Sequence, residues 1–337
     1  METAAFDYRL PEDAIAQVPV EPRDAARLLV DRGPGETPEH RRVADLPALL
    51  RAGDLLVVND TRVRPARLHL RKASGGRVEV LLLEPLESLE SNGCAAWTAL
   101  VRPSRRVPPG TPLEGPHGLL VRIWHDLGEG RRTLVVEAGD PGPVAEVPLP
   151  PYIRRPLADP ERYQTVYGRR AESAAAPTAG LHLTGDLLAR CERLGIGVAS
   201  LELSVGLDTF RPITEERVED HPIHAEAYDV PPGTWEAAAR TRQAGGRVVA
   251  VGTTVVRALE TVAVTDQLTG RTQLFIRPGF EFQVVDRLLT NFHVPMTTLL
   301  ALVDAFVGPR WRDLYTCALA EGYRFLSFGD ACLLDRR

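Results

Sequence analysis

Two histidines able to move protons near neutral pH, His182 and His293, and two carboxylates, Asp60 and Glu226, stand in polar, turn-prone segments beside apolar runs. Asp60 belongs to Asn59-Asp60-Thr61-Arg62-Val63, directly after the apolar run Asp54-Leu55-Leu56-Val57-Val58. In α/β sheets ligands sit at the carboxyl ends of strands, so an amide, a carboxylate, a hydroxyl and a guanidinium there could read a sugar or a base edge. As a plain turn the same residues would make an Asx hydrogen bond and expose an arginine. His182 closes Ala174-Ala175-Ala176-Pro177-Thr178-Ala179-Gly180-Leu181-His182, which follows Tyr163-Gln164-Thr165-Val166-Tyr167. Its small residues, Gly180 among them, let a backbone approach a ligand closely. Gln164 and Thr178 add polar tips; close packing and a Thr184 cap would use the same residue types.

Gly252-Thr253-Thr254 joins the apolar run Arg247–Val251 to a helical pattern. A helix start with two hydroxyls is a ready anion or carboxylate site, although an ordinary threonine cap looks alike. In Thr290-Asn291-Phe292-His293-Val294-Pro295, Asn291 and His293 alternate about an aromatic. On an extended strand they face one way and Phe292 faces the core. His221, His224 and Glu226 form another polar group, but no further ligand stands at a spacing that suits a metal, and no metal is expected.

These groups need elements to position them. Leu187–Leu194, Thr234–Ala244, Val255–Val262 and Thr298–Val307 read as helices, and Val198–Val205 and Arg247–Gly252 as strands. That alternation argues a mixed or parallel sheet with helices packed on it. From Leu68 to Pro150 the texture differs. Short β-like runs (Val78–Leu83, Trp97–Arg102, Leu119–Trp124, Thr133–Glu137) alternate with Gly/Pro turns, as in a small antiparallel sandwich or barrel. Pro148-Leu149-Pro150-Pro151-Tyr152 then reads as a stiff linker. The expected class is therefore α/β: a large mixed α/β domain from residues 1–66 and 153–337, with an inserted small antiparallel β-barrel domain at 67–152.

Composition limits the function classes. The 337 residues are 44% hydrophobic and 25% charged, with a net charge of -5, as in ordinary globular chains. No apolar run reaches the ~18 residues of a membrane span, and the first residues lack a signal-peptide pattern. Four cysteines without a C-x-x-C pair fit a reducing cytoplasm. The signatures of dinucleotide-binding, P-loop, zinc-protease and α/β-hydrolase enzymes are absent. Arginine clusters (Arg62/Arg64/Arg67/Arg71, Arg102/Arg105/Arg106, Arg154/Arg155, Arg169/Arg170) could hold phosphates on an otherwise acidic protein.

Taken in order, these segments resemble one family along nearly the whole chain. They include Phe6-Asp7-Tyr8-x-Leu10-Pro11, Asn59-Asp60-Thr61-Arg62-Val63-x-Pro65-Ala66-Arg67, Leu149-Pro150-Pro151-Tyr152-Ile153, Glu161–Tyr167, Ala175–His182, Ala250–Thr254 and Thr290–Pro295. The family is the S-adenosylmethionine:tRNA ribosyltransferase-isomerases (QueA) of queuosine biosynthesis. The resemblance implies a large α/β domain carrying an inserted β-barrel, and a monomer. It implies a reaction in which the ribosyl moiety of S-adenosylmethionine is transferred and isomerised onto 7-aminomethyl-7-deazaguanine at the tRNA wobble position. Epoxyqueuosine-tRNA, adenine and methionine result, and S-adenosylmethionine is consumed with no bound cofactor. That chemistry needs a base near the sulfonium and an acid near the leaving adenine. His182, His293, Asp60 and Glu226 are the candidates, unranked. Asn59, Thr61, Arg62, Gln164, Thr178, Gly180, Gly252, Thr253, Thr254 and Asn291 are expected to bind substrate.

The chain departs from the family pattern at Leu183, where a phenylalanine is usual, at Ile223, where a methionine is usual, and most of all in one stretch. Where Leu-His-Val-Gly-x-Gly-Thr-Phe is usual, it reads Leu203-Ser204-Val205-Gly206-Leu207-Asp208-Thr209-Phe210. Ser204 replaces a histidine and Asp208 a glycine. This keeps open a divergent paralogue that binds tRNA, or acts on a free deazapurine, without the usual activity.

Overall fold

The computed structural model describes residues 1–86, 94–206 and 212–337. Two compact units emerge: Met1–Arg62 with Pro150–Arg337, and Val63–Leu149.

The larger unit is built on a nine-stranded mixed sheet. Its spatial order is Thr269–Thr272, Glu226–Asp229, Gly197–Leu203, Leu55–Asn59, Val248–Val251, Arg287–Asn291, Ala331–Asp335, Arg27–Asp31, Glu39–Arg42. Leu55–Asn59 runs parallel to both of its neighbours, and Val248–Val251 runs parallel to Arg287–Asn291. Four strands therefore end at the same edge of the sheet. The apolar runs are continuous because both faces are covered. Leu55, Val57, Val248, Ala250 and Leu288 belong to one core, whereas Leu56, Val58, Val249, Val251 and Leu289 belong to the other. Alternation along each strand sends successive side chains to opposite cores, and burying each such side chain is worth about 1.5–3 kcal/mol.

Helices lie on both sides. Thr253–Thr265, Thr298–Val307 and Trp311–Ala320 contribute to the first core, and Leu46–Leu49 and Gly185–Arg193 to the second. The Thr184 hydroxyl accepts from the Leu187 N–H to cap one helix, and Thr297 caps another by accepting from Leu300. Gly252, before Thr253–Thr265, holds φ at +95°, a conformation that favours glycine at this sharp strand-to-helix turn.

The smaller unit is a closed antiparallel barrel of six strands: Arg67–Lys72, Arg77–Leu86, Ala96–Arg102, Pro112–Glu114, Leu120–Gly128 and Arg131–Ala138. Closure leaves no unpaired sheet edge. Among the described residues no helix is long and apolar enough to cross a membrane.

Candidate active site

The carboxyl ends of the parallel strands frame a cleft of about 560 Å³ in the larger unit. Gly252, Thr253 and Thr254 follow one strand, and Asn291, Phe292 and His293 end or follow the next. Thr178 enters from the small-residue segment, and Val205 from beyond Gly197–Leu203. Thr297 and Leu299 bring the start of a second helix to the wall, and Tyr152 and Ser327 close it through a 2.7 Å hydroxyl–hydroxyl bond. Two helix N-termini thus meet one cleft, each carrying partial positive charge and N–H groups.

Asn291 is the hub of a buried chain. The Thr178 hydroxyl donates to its Oδ1 (2.9 Å), and its Nδ2 donates to His182 Nε2 (3.0 Å). This network assigns the His182 proton to Nδ1. Burial, with the nearby charges of Arg324, Arg23 and Arg162, pushes the His182 pKa down to about 4. His182 itself lines a small separate hollow with Arg23, Arg162 and Phe328, so it reaches the cleft only through Asn291.

His293 faces the cleft directly. Its Nε2 lies 3.0 Å from the Thr290 hydroxyl, and burial pushes its pKa down to about 3. Its backbone is held from two sides: Tyr8 donates to its carbonyl, and its N–H donates to the Tyr315 hydroxyl. Phe292 also borders the cleft, with its ring stacked on Phe325. Asn291 and His293 reach one cleft, as their alternation suggests.

Other expected residues stand elsewhere. The Asn59 amide is committed internally: Nδ2 donates to Leu203 O and Thr254 Oγ1, and Oδ1 accepts from Thr61 and Leu203 N–H. It positions Thr254. Thr61 is buried behind it. Asp60 is 3.6 Å from the Arg169 guanidinium, and Arg62 pairs with Glu161 at 2.5 Å; neither lines the cleft. Gln164 is buried and its carbonyl accepts from Arg23. Glu226 lies in a second hollow, paired with Arg257. Sequence reasoning did not single out Tyr152, Thr297 or Ser327 as site residues, although Tyr152 lies in the quoted Leu-Pro-Pro-Tyr segment. Ser204 lines neither hollow, and its N–H donates to Ala227 O. Asp208 lies outside the described residues. Among the described residues, no group of three or more His, Cys, Asp or Glu is placed to hold a metal.

The close approach at Gly180 is made by a side chain. A Cβ there would stand 2.0 Å from the buried Tyr167 hydroxyl oxygen. Gly180→Ala is expected to cost about 1–3 kcal/mol in urea unfolding, as overpacking does. Adding Tyr167→Phe should recover much of it; no recovery would mean that another contact sets the requirement.

A mixed α/β unit with a strand-end cleft, accompanied by a closed barrel, has the architecture of an enzyme that binds its ligand at the carboxyl ends of parallel strands. The chain belongs to the queuosine biosynthesis protein family, whose model matches residues 3–334. It is 49% identical to an S-adenosylmethionine:tRNA ribosyltransferase-isomerase of Moorella thermoacetica, over 99% of this chain and all of that one. Another protein of that name, from Gloeobacter violaceus, is 49% identical over 98% of this chain and 95% of its own. A crystal structure of S-adenosylmethionine tRNA ribosyltransferase from Thermotoga maritima superposes with a TM-score of 0.57 at 38% identity, covering 98% of this chain and 99% of that one.

Proposed function

We propose that this chain transfers and isomerises the ribosyl moiety of S-adenosylmethionine onto 7-aminomethyl-7-deazaguanine at the tRNA wobble position. Epoxyqueuosine-tRNA, adenine and methionine are released. The observation that carries this reading is end-to-end similarity at 49% identity to relatives of that name, in a chain whose strand-end cleft contains His293, Asn291 and two helix starts. Nothing in the comparisons favours a binding protein without activity or an enzyme acting on a free deazapurine. S-adenosylmethionine is a consumed substrate, and no metal or bound cofactor enters the proposal. We place the reaction in the cytoplasm and the working form as a monomer.

His293 is the proposed base toward the proton beside the sulfonium, being neutral and on the cleft wall. Thr178 and Asn291 hold the ribose hydroxyls. The helix starts at Thr253 and Thr297 receive the methionine carboxylate, where N–H groups and the helix dipole favour an anion. For the tRNA, the barrel carries exposed arginines. Arg71 and Arg77 stand directly opposite each other on adjacent strands, and like charges so placed repel unless an anion lies across them.

The test is turnover of S-adenosylmethionine with tRNA bearing the deazaguanine, read as adenine release, alongside tRNA affinity against salt. Adenine release only with the modified tRNA is expected, with a log–log salt slope of about -0.7 to -0.9 per phosphate contact. Release without tRNA, or salt-insensitive binding, would reject the tRNA part of the reading.

A further inference from the structure

A second hollow in the same unit, with about 540 Å³ of empty space, abuts the cleft. Val205 lines one and Gly206 the other, and Leu299 lines both. Part of its wall is apolar and aromatic (Ile223, Leu274, Phe275, Leu302), and His221 and His224 also stand on it. The His221 ring stands at 67° to Phe275, with centroids 6.5 Å apart, and Glu215 holds His221 Nδ1 at 2.8 Å.

One guanidinium is presented in these walls. Arg257 donates through Nε to Leu274 O and through Nη1 to Glu226, whose other oxygen accepts from the Gly206 N–H at 2.7 Å. Among the described residues its Nη2 is buried with no partner, and the side chain is only 13% exposed. A buried donor left unmade costs roughly 1–3 kcal/mol, so the site is short of one acceptor. Because Glu226 already balances the charge of Arg257, what is missing is a neutral acceptor rather than an anion.

We infer that this hollow is the nucleobase subsite, taking the adenine ring of S-adenosylmethionine, with Arg257 Nη2 donating to a ring nitrogen. The inference rests on the ribosyl-transfer reading and adds to it a place for the base that leaves. Adenine is planar, neutral and rich in ring acceptors, and it suits apolar and aromatic walls. The acceptor base of the tRNA carries a primary amine that is cationic at neutral pH, and a spare guanidinium donor disfavours it. Methionine, a zwitterion, is better served by the helix starts of the adjoining cleft. Glu226 is then a positioning residue that fixes Arg257 and joins it to the Val205–Gly206 wall.

Adenine binding to the full chain, followed by calorimetry, tests this apart from turnover. Arg257→Gln alone would strand the Glu226 carboxylate, so it is paired as Arg257→Gln/Glu226→Gln; Leu302→Phe fills the hollow without touching either. The parent chain is expected to bind adenine, and both variants to bind it at least about tenfold more weakly, while retaining tRNA affinity and a cooperative unfolding transition. Unchanged adenine binding in folded variants, absence of binding to the parent, or loss of tRNA affinity instead would each overturn the assignment. Adenine binding lost in the variants of a parent that shows no turnover would uphold the subsite and reject the reaction.

Discussion

The His293→Ala chain is expected to release adenine about 10²- to 10⁴-fold more slowly than its parent, the range typical of a lost general acid or base, with tRNA affinity close to normal. The ring lines the cleft, its Nε2 is oriented by Thr290, and its backbone is held between Tyr8 and Tyr315. Such fixing avoids reorganisation when the proton moves. Burial lowers its pKa to about 3, so the ring is neutral at working pH. His182→Ala should act less, because that ring reaches the cleft only through Asn291. Equal falls in kcat and kcat/KM for His293→Ala would place the lost interaction in the transition state. A variant that turns over like the parent would remove His293 from the chemistry.

Stability should fall steeply with acid, and two histidines account for the slope. Unfolded imidazoles take up protons below about pH 6.5, whereas folded His182 and His293 resist until about 4 and about 3. Between those limits the unfolded chain binds more protons, so stability present above pH 6.5 is lost as pH falls. From pH 7 to pH 5 the loss is about 2 kcal/mol for each ring. Urea midpoints at the two pH values measure it, and His182→Gln/His293→Gln should flatten the dependence. Equal midpoints in the parent chain would show that the rings are protonated in the folded state too.

Much of this could be read from the sequence where burial leaves a pattern. Leu55–Asn59 and Val248–Val251 are covered on both faces and read as apolar runs, and Thr298–Val307 carries its helical pattern between the limits expected. Glu39–Arg42 is a largely exposed edge strand of four polar residues, so neither apolarity nor alternation marks it. The barrel showed through its turns; its short Pro112–Glu114 strand did not. In the site, Gly252-Thr253-Thr254 and Asn291–His293 are local features of strand ends and were visible. The hold on His293 by Tyr8 joins residues 285 positions apart, and no local spacing encodes it. Asp60 shares the polar cluster of Asn59, yet it lies between the strands Leu55–Asn59 and Thr61–Val63, and its carboxylate faces Arg169.

The place of Ala331–Asp335 bears on how the chain is made. This strand lies inside the sheet, bonded to Arg287–Asn291 on one side and to Arg27–Asp31 on the other. During synthesis, Arg27–Asp31 and its Glu39–Arg42 neighbour leave the ribosome roughly 300 residues before the strand that docks them, a wait of about 15–60 s at about 5–20 residues per second. Until then the Arg27–Asp31 edge stands open, joined by a second one once Arg287–Asn291 is made, the kind of surface that recruits other chains. Nascent-chain aggregation should therefore depend on how quickly Ala331–Asp335 is delivered, and slow codons between residues 42 and 331 would harm this protein more than slow codons before them.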